Sequence, residues 1–202
     1  MRVRKKAMVT GGAGYIGSHV TWALLEAGWD VVVIDDLSTG RRESVAAAAA
    51  FILGDVGDPV TITAALAEHR PDAVLHLAGS AIIPESVIDP LKYYRNNTAA
   101  SRTLIEATVN AGVDAFLFSS PAAIYGVPPR MPIDEDMPTH PITPYGPSKF
   151  CTEFILRDVA AATSMRYVSL RYFNVAGADP KGRTGQSTPI STHLIKIACE
   201  TI

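Results

Sequence analysis

Met8-Val9-Thr10-Gly11-Gly12-Ala13-Gly14-Tyr15-Ile16-Gly17-Ser18-His19 is the stretch that decides the fold. An apolar strand runs into three glycines spaced by three, Gly11, Gly14 and Gly17, and a helix begins at the third. In the βα turn of a dinucleotide-binding unit the first glycine allows a tight exit from the strand. The second lets the backbone approach a pyrophosphate with no Cβ in the way, and the third lets the helix pack closely on the strand. The helix N-terminus then presents unpaired N–H groups to the phosphates. Glycine turns are common in α/β proteins, so the pattern gains its meaning from the next strand. Asp30–Asp35 is apolar and ends in a carboxylate roughly 20 positions beyond the glycines, where a ribose diol is held. That carboxylate disfavours a 2′-phosphate, so the pattern predicts NAD rather than NADP as cofactor.

The composition sets bounds on the rest. A chain of 202 residues builds one sizeable core and part of a second unit. Its 48% hydrophobic and 19% charged residues are ordinary for a globular protein, and a net charge of −2 gives no reason to expect nucleic acid or an anionic membrane as partner. The basic start Arg2, Arg4, Lys5, Lys6 precedes a core strand and reads as a solvated strand entry rather than a secretory leader. The longest apolar run, Val45–Leu53, is mostly alanine and too short to span a bilayer. Cys151 and Cys199 form neither a disulfide framework nor a metal spacing. Asn96-Asn97-Thr98 matches a glycosylation acceptor, which without a leader reads as accidental. The expected compartment is cytoplasmic. His19, His69, His76, His140 and His193 fall in no ligand spacing, and no nucleophile elbow is present, so neither a metal site nor a hydrolase is expected.

Strands and helices alternate, which predicts an α/β fold: a Rossmann-type, doubly wound parallel sheet with helices on both faces. Strands are expected at Lys6–Thr10, Asp30–Asp35, Ala50–Gly54, Ala73–Leu77, Ala115–Ser119 and Arg166–Phe173. Helices are expected at Ile16–Ala27, Pro59–His69, Leu91–Ala111 and Tyr145–Ala162, the third stopping at Gly112. Between Pro121 and Pro144 lie seven prolines, so this segment is read as a long ordered loop, and such loops in compact domains are usually functional. A last helix, His193–Ile202, carries no stop signal. The reading divides the chain into a dinucleotide-binding domain, residues 1–178, and the start of a truncated substrate-binding region, 179–202.

Tyr145-Gly146-Pro147-Ser148-Lys149 carries the chemistry. Residues four apart share a helix face, so phenol and ammonium point the same way. A phenol titrates near pH 10, so acid–base work at neutral pH requires a downward shift of about three units, roughly 4 kcal/mol. A fixed ammonium and the positive ring of an oxidised nicotinamide supply a field of the right sign. Read alone, the pair is equally a surface Tyr and Lys on an amphipathic helix. Its place after an assembled dinucleotide fold and a proline-rich loop favours catalysis.

With these motifs in view, the chain resembles the extended short-chain dehydrogenase/reductase family, and its UDP-glucose 4-epimerases in particular. The resemblance rests on Thr10–His19, Asp35-Asp36-Leu37-Ser38-Thr39-Gly40, Gly54-Asp55-Val56 and His76-Leu77-Ala78-Gly79. It continues through Pro84-Glu85-Ser86-Val87, Tyr93-Tyr94-Arg95-Asn96-Asn97, Ser119-Ser120, Ile124-Tyr125-Gly126, Tyr145–Lys149 and Arg171–Ala178, covering essentially the whole chain. It implies an NAD kept bound through turnover, with UDP-glucose and UDP-galactose as substrates. Hydride leaves sugar C4 while Tyr145 takes the hydroxyl proton, the 4-keto sugar turns over, and hydride returns to the other face. Lys149 would hold the nicotinamide ribose and tune Tyr145. The implied cofactor contacts are Gly11, Gly14, Tyr15, Ile16, Gly17, Asp35, Thr39, Asp55, Val56, Leu77, Ala78, Gly79, Asn96 and Tyr172. Phe173 and Asn174 match substrate contacts, and His193 and Leu194 lie where a uridine-contacting pair is expected. Dimerisation through helices 91–111 and 145–162 is also implied, although the apolar residues of both helices equally suit packing on the sheet.

Two departures stand out. The family places a Ser or Thr three residues before the Ile124-Tyr125 pair; here that residue is Pro121, with neither hydroxyl nor N–H. Ser120 is adjacent, but neighbouring side chains on a strand face opposite ways, so it substitutes only if Pro121 forces a bulge. The second departure is that the family continues into a substrate domain beyond Ile202, whose absence would leave Leu194, Ile195, Ile197 and Ala198 facing water. Two other readings remain. A 4,6-dehydratase wants an acidic pair where Ala122 and Ala123 stand, which counts against it; a non-catalytic NAD-binding remnant is favoured by Pro121 and opposed by the intact Tyr145 and Lys149.

Overall fold

The computed structural model describes residues 4–188 and 193–201, so Arg2 and Ile202 lie outside the described residues. Six strands form one sheet in the order β3-β2-β1-β4-β5-β6, all pairs parallel. The strands are β1 (Lys6–Thr10), β2 (Asp30–Asp35), β3 (Ala50–Leu53), β4 (Ala73–His76), β5 (Ala115–Pro121) and β6 (Arg166–Tyr172). The order reverses between β1 and β4, and the crevice outside the carboxyl ends of those two strands is where such sheets bind ligands.

Burial on both faces explains the continuous apolar strands. Met8, Val32, Ile34, Val74, Phe116 and Phe118 point to one face, against Ile62 and Leu66 of α2 (Pro59–His69), Leu104 and Ile105 of α5 (Ala100–Asn110), and Leu156 of α6 (Tyr145–Ala162). Val9, Val31 and Val33 point to the other, with Val20, Leu24 and Leu25 of α1 (Tyr15–Glu26) packed against them. Helix α2 is capped by Asp58, whose carboxylate accepts the N–H groups of Val60 and Thr61, with Pro59 in its first turn.

The structure revises several boundaries. A short helix, α3 (Ile83–Ile88), precedes the predicted long one and is too brief to carry a readable period. The long helix starts at Pro90, where Asp89 accepts the Lys92 N–H, and comprises α4 (Pro90–Tyr93), a π-helical stretch over Tyr94–Ala99, and α5. Strand β5 runs two residues past its predicted end, through Pro121, and pairs rung by rung with β6 to Pro121↔Tyr172. A 3₁₀ turn at Ala122–Tyr125 opens the proline-rich loop, which is pinned by a small cluster of Ala122, Ile124, Tyr125 and Met137 with Ile133 and Phe150. In α7 (Leu194–Thr201) no described residue is buried, and Leu194, Ile195 and Ile197 are exposed.

Candidate active site

The glycine loop is shaped by close backbone contact. Gly11 has φ +69°, and a Cβ there would lie 2.6 Å from the Ala78 nitrogen. A Cβ on Gly17 would lie 2.1 Å from the Gly11 carbonyl oxygen, so any side chain would push α1 off the loop. Gly14 caps α1 without a side-chain bond, which leaves first-turn N–H groups pointing out of the helix end. The buried Asp35 carboxylate accepts the Ala13 N–H at 2.9 Å and the Leu37 N–H at 2.8 Å. It therefore clamps the glycine loop. Burial pushes its carboxyl up, the two N–H bonds pull it back, and Asp36 adds to the rise.

Around this loop, Thr39 is exposed, the exposed Asp55 accepts the Gly57 N–H at 2.7 Å, and Val56 belongs to the core. Leu77 and Ala78 are half-buried, with their N–H groups on Thr10 Oγ1, and Gly79 takes φ +144°. Ile16 is half-buried beside Tyr15, whose hydroxyl donates to the Gly177 carbonyl at 2.6 Å.

A buried polar chain ties this loop to the helix carrying Tyr145. The Thr10 hydroxyl meets His76 Nδ1 at 2.7 Å, and His76 Nε2 meets the Ser101 hydroxyl at 2.8 Å. Ser101 donates to the Asn97 carbonyl, which also accepts Thr152 Oγ1 at 3.0 Å. Because Ser101 spends its proton there, it must accept from Nε2–H, leaving Nδ1 to accept from Thr10. Full burial, with Lys149 adding to it, drives His76 down to about 3, so the ring is neutral. Within the π stretch Asn97 is buried, and its carbonyl is held by the Ser101 and Thr152 hydroxyls. Asn97 accepts the Ser80 N–H at 2.8 Å and donates to the Ser80 carbonyl and the Ser148 hydroxyl, both at 3.0 Å. Asn96, the residue chosen from the sequence, is half-buried and donates to the Ser80 hydroxyl at 3.0 Å. Adjacent asparagines in a helix carry no sign of which one faces in, and only the π register decides it.

Lys149 is buried at the same place. A Cβ on Gly79 would lie 2.9 Å from Lys149 Nζ and 2.6 Å from Asn97 Oδ1, so the open backbone of Gly79 forms a floor over both. The ammonium sits 5.1 Å from the Phe118 ring centroid, and burial brings its pKa down to about 8. Tyr145 packs edge-on against Tyr93 at 6.3 Å. Burial, with the Tyr172 phenol adding to it, pushes Tyr145 up to about 12, so the downward shift that acid–base work requires falls to the positive field of an oxidised nicotinamide together with Lys149. Tyr172 in turn hydrogen-bonds the Ser119 hydroxyl.

Ser120 does not substitute at position 121. Regular pairing continues through Pro121 with no bulge, and the Ser120 hydroxyl donates to Glu153, one turn along α6 from Lys149. Glu153 is also held by Arg171, whose Nη2 lies 2.7 Å from Oε2, and Arg171 reaches on to the Tyr125 hydroxyl at 2.9 Å. This buried network was not read from the sequence, since Glu153 and Arg171 stand 18 residues apart on different elements. Phe173 and Asn174 are exposed just beyond β6; His193 is half-buried and Leu194 exposed at the start of α7. Among the described residues no group of three or more His, Cys, Asp or Glu could hold a metal ion.

Residues 7–200 match the sequence pattern of the NAD dependent epimerase/dehydratase family. The chain belongs to that family. Among epimerase/dehydratase relatives, it is 58% identical over 197 residues to the UDP-glucose 4-epimerase of Azospirillum brasilense, covering 98% of this chain and 57% of the relative. The crystal structure of a Brucella ovis UDP-glucose 4-epimerase in complex with NAD superposes with a TM-score of 0.93 at 43% identity, over 96% of this chain and 59% of that one. A Bifidobacterium longum UDP-glucose 4-epimerase in complex with NAD+ and UDP gives 0.88 at 36% identity, over 92% and 58%. The chain thus spans somewhat more than half the length of these members of the family.

Proposed function

We propose that this chain is the NAD-binding and acid–base portion of an enzyme that interconverts UDP-glucose and UDP-galactose. The observation that carries the reading is Lys149 Nζ lying beneath Gly79, with Tyr145 one helical turn away, at the edge of the sheet where the strand order reverses. The glycine loop fits a dinucleotide, since Gly11 and Gly17 leave no room for a Cβ, the first turn of α1 offers free N–H groups, and Asp35 offers a carboxylate. When bound, NAD supplies the hydride acceptor and donor and a positive ring near the phenol. Tyr145 takes the C4 hydroxyl proton and later returns it, and Lys149 orients the ribose and adds positive charge. Phe173 and Asn174 reach the sugar diphosphate, and His193 and Leu194 the uridine. Residues 1–178 form the cofactor-binding unit and 179–202 open the substrate-binding part.

A second copy would pair through the outer faces of α4–α5 and α6, where Leu91, Tyr94 and Phe154 are exposed. No helix among the described residues is long and apolar enough to cross a membrane, and the reading assigns the chain to the cytoplasm.

A second reading, an NAD-binding chain without turnover, is favoured by Pro121 and by the commitment of Ser120 to Glu153. Single-turnover reduction of bound NAD on adding UDP-galactose separates the two. Reduction by this chain supports the epimerase reading. A Pro121→Ser variant is expected to react about 10²–10⁴ faster by regaining an acid–base partner. If both proteins bind NAD and neither reduces it, the turnover-free reading stands.

A further inference from the structure

Strand β6 is the third strand from β1 on its side of the sheet, and Tyr172 is its last residue. Five residues later the Gly177 carbonyl accepts the Tyr15 hydroxyl, at the first turn of the helix after β1. The two ends of this segment therefore stand at the carboxyl end of the sheet on either side of the crevice, β6 beyond β4 and Tyr15 at the head of α1. Residues 173–178 are exposed.

Beyond Gly177 the chain is bonded along α1, at Ser18, Trp22 and Glu26. Ser18 and Thr184 hydroxyls meet at 2.5 Å, at the buried end of the helix. Arg183 is the centre of the attachment. It forks onto Asp179 through Nε at 2.8 Å and Nη2 at 2.6 Å, and donates Nη1 to Glu26 Oε1 at 2.8 Å. Its guanidinium lies 4.2 Å from the Trp22 ring centroid. Lys181 Nζ reaches the same Glu26 oxygen at 2.8 Å. Forked, stacked arginine is the most geometrically demanding form of ion pair. The bonds onto Glu26 and Asp179 hold both carboxyls below their usual range, so the cluster is charged throughout neutral pH.

We propose that Phe173–Thr184 is a strap across the dinucleotide crevice, latched to α1 by Arg183, and that the latch sets how fast the dinucleotide leaves. Arg183, Glu26 and Asp179 are then positioning residues, remote from the reacting atoms. The proposal rests on the NAD reading of the glycine loop.

The test is a chase experiment on the full chain. Protein preloaded with fluorescent etheno-NAD is mixed with excess NAD, and release is timed for wild type, Arg183→Ala, Arg183→Lys and Glu26→Gln. Losing the forked pair and the ring contact is expected to speed release about tenfold in Arg183→Ala, with Arg183→Lys and Glu26→Gln in between. High salt should speed release from the wild type and leave Arg183→Ala unchanged. Without nucleotide, tryptic cleavage after Lys181 should be faster in Arg183→Ala, and faster by less in Glu26→Gln, which leaves the Arg183–Asp179 fork in place. Release within about twofold of wild type in both Arg183→Ala and Glu26→Gln overturns the latch. If Arg183→Ala fails to fold, Glu26→Gln, on an exposed helix face, decides alone. A wild-type chain that retains no nucleotide overturns the NAD reading itself, before any variant is compared, and the latch falls with it.

Discussion

Replacing Glu153 by Gln tests the buried network behind the candidate active site. The Glu153 side chain is 9% exposed and accepts from the Ser120 hydroxyl and from Arg171 Nε and Nη2. Glutamine keeps the volume, removes the charge, and turns one acceptor into a donor facing a guanidinium. Breaking a fully buried pair from one side costs about 3–5 kcal/mol. Arg171 is 23% exposed and keeps the Tyr125 hydroxyl and the Glu135 carbonyl as partners, so part of its charge remains solvated or bonded. The expected loss is therefore smaller, about 2–3 kcal/mol. With a urea slope of roughly 2–3 kcal/mol/M, the unfolding midpoint should fall by about 1 M at unchanged slope. A double-mutant cycle with Arg171→Gln should return a coupling of at least about 1 kcal/mol. A single-variant loss below about 0.5 kcal/mol would refute the reasoning, because the pair would then behave as an exposed one.

The glycine loop makes a sharper prediction. Gly17→Ala places a Cβ 2.1 Å from the Gly11 oxygen, so α1 must move; titration should show NAD binding lost together with at least about 1–3 kcal/mol of stability. A second prediction concerns pH. Lys149 titrates at about 8 when folded against 10.5 in the reference state, so between these values the unfolded chain holds the extra proton and stability rises with pH. The ligand-free chain should gain about 3 kcal/mol across that window, and Lys149→Met should flatten the rise. Above pH 10 the raised Tyr145 acts in the opposite sense, since the folded chain keeps the proton until about 12, so denaturation melts should show the gain turning over there. A stability that stays level from pH 8 to 10 in the wild type would rule out the buried ammonium as its source.

The elements were legible because their causes are local. The apolar strands, the glycine spacing, the proline at the start of α2 and the Tyr145–Lys149 helix all lie within a few residues of the features that specify them. Alternating strands and helices announced a doubly wound parallel sheet, and the structure orders it 3-2-1-4-5-6. Where long-range contact takes over, legibility stopped. Whether Asn96 or Asn97 turns inward depends on a π register held by hydroxyls of Ser101 and Thr152, the second 55 residues from Asn97. Whether Ser120 serves the site depends on Glu153, which claims its hydroxyl from α6, 33 residues away in sequence.

By itself, then, the sequence determined the parallel α/β sheet, the cradle for a dinucleotide and the phenol–ammonium pair, because each is written in spacing along one strand, turn or helix. Only the tertiary structure decided the electrostatic state of that pair, the neutral His76 between two hydroxyls, and the strap from β6 to α1. Burial sets the first, moving phenol and ammonium away from their solution values whatever their spacing. Partners distant in sequence set the others, since a hydrogen bond or ion pair exists only when folding brings both of its halves to one place.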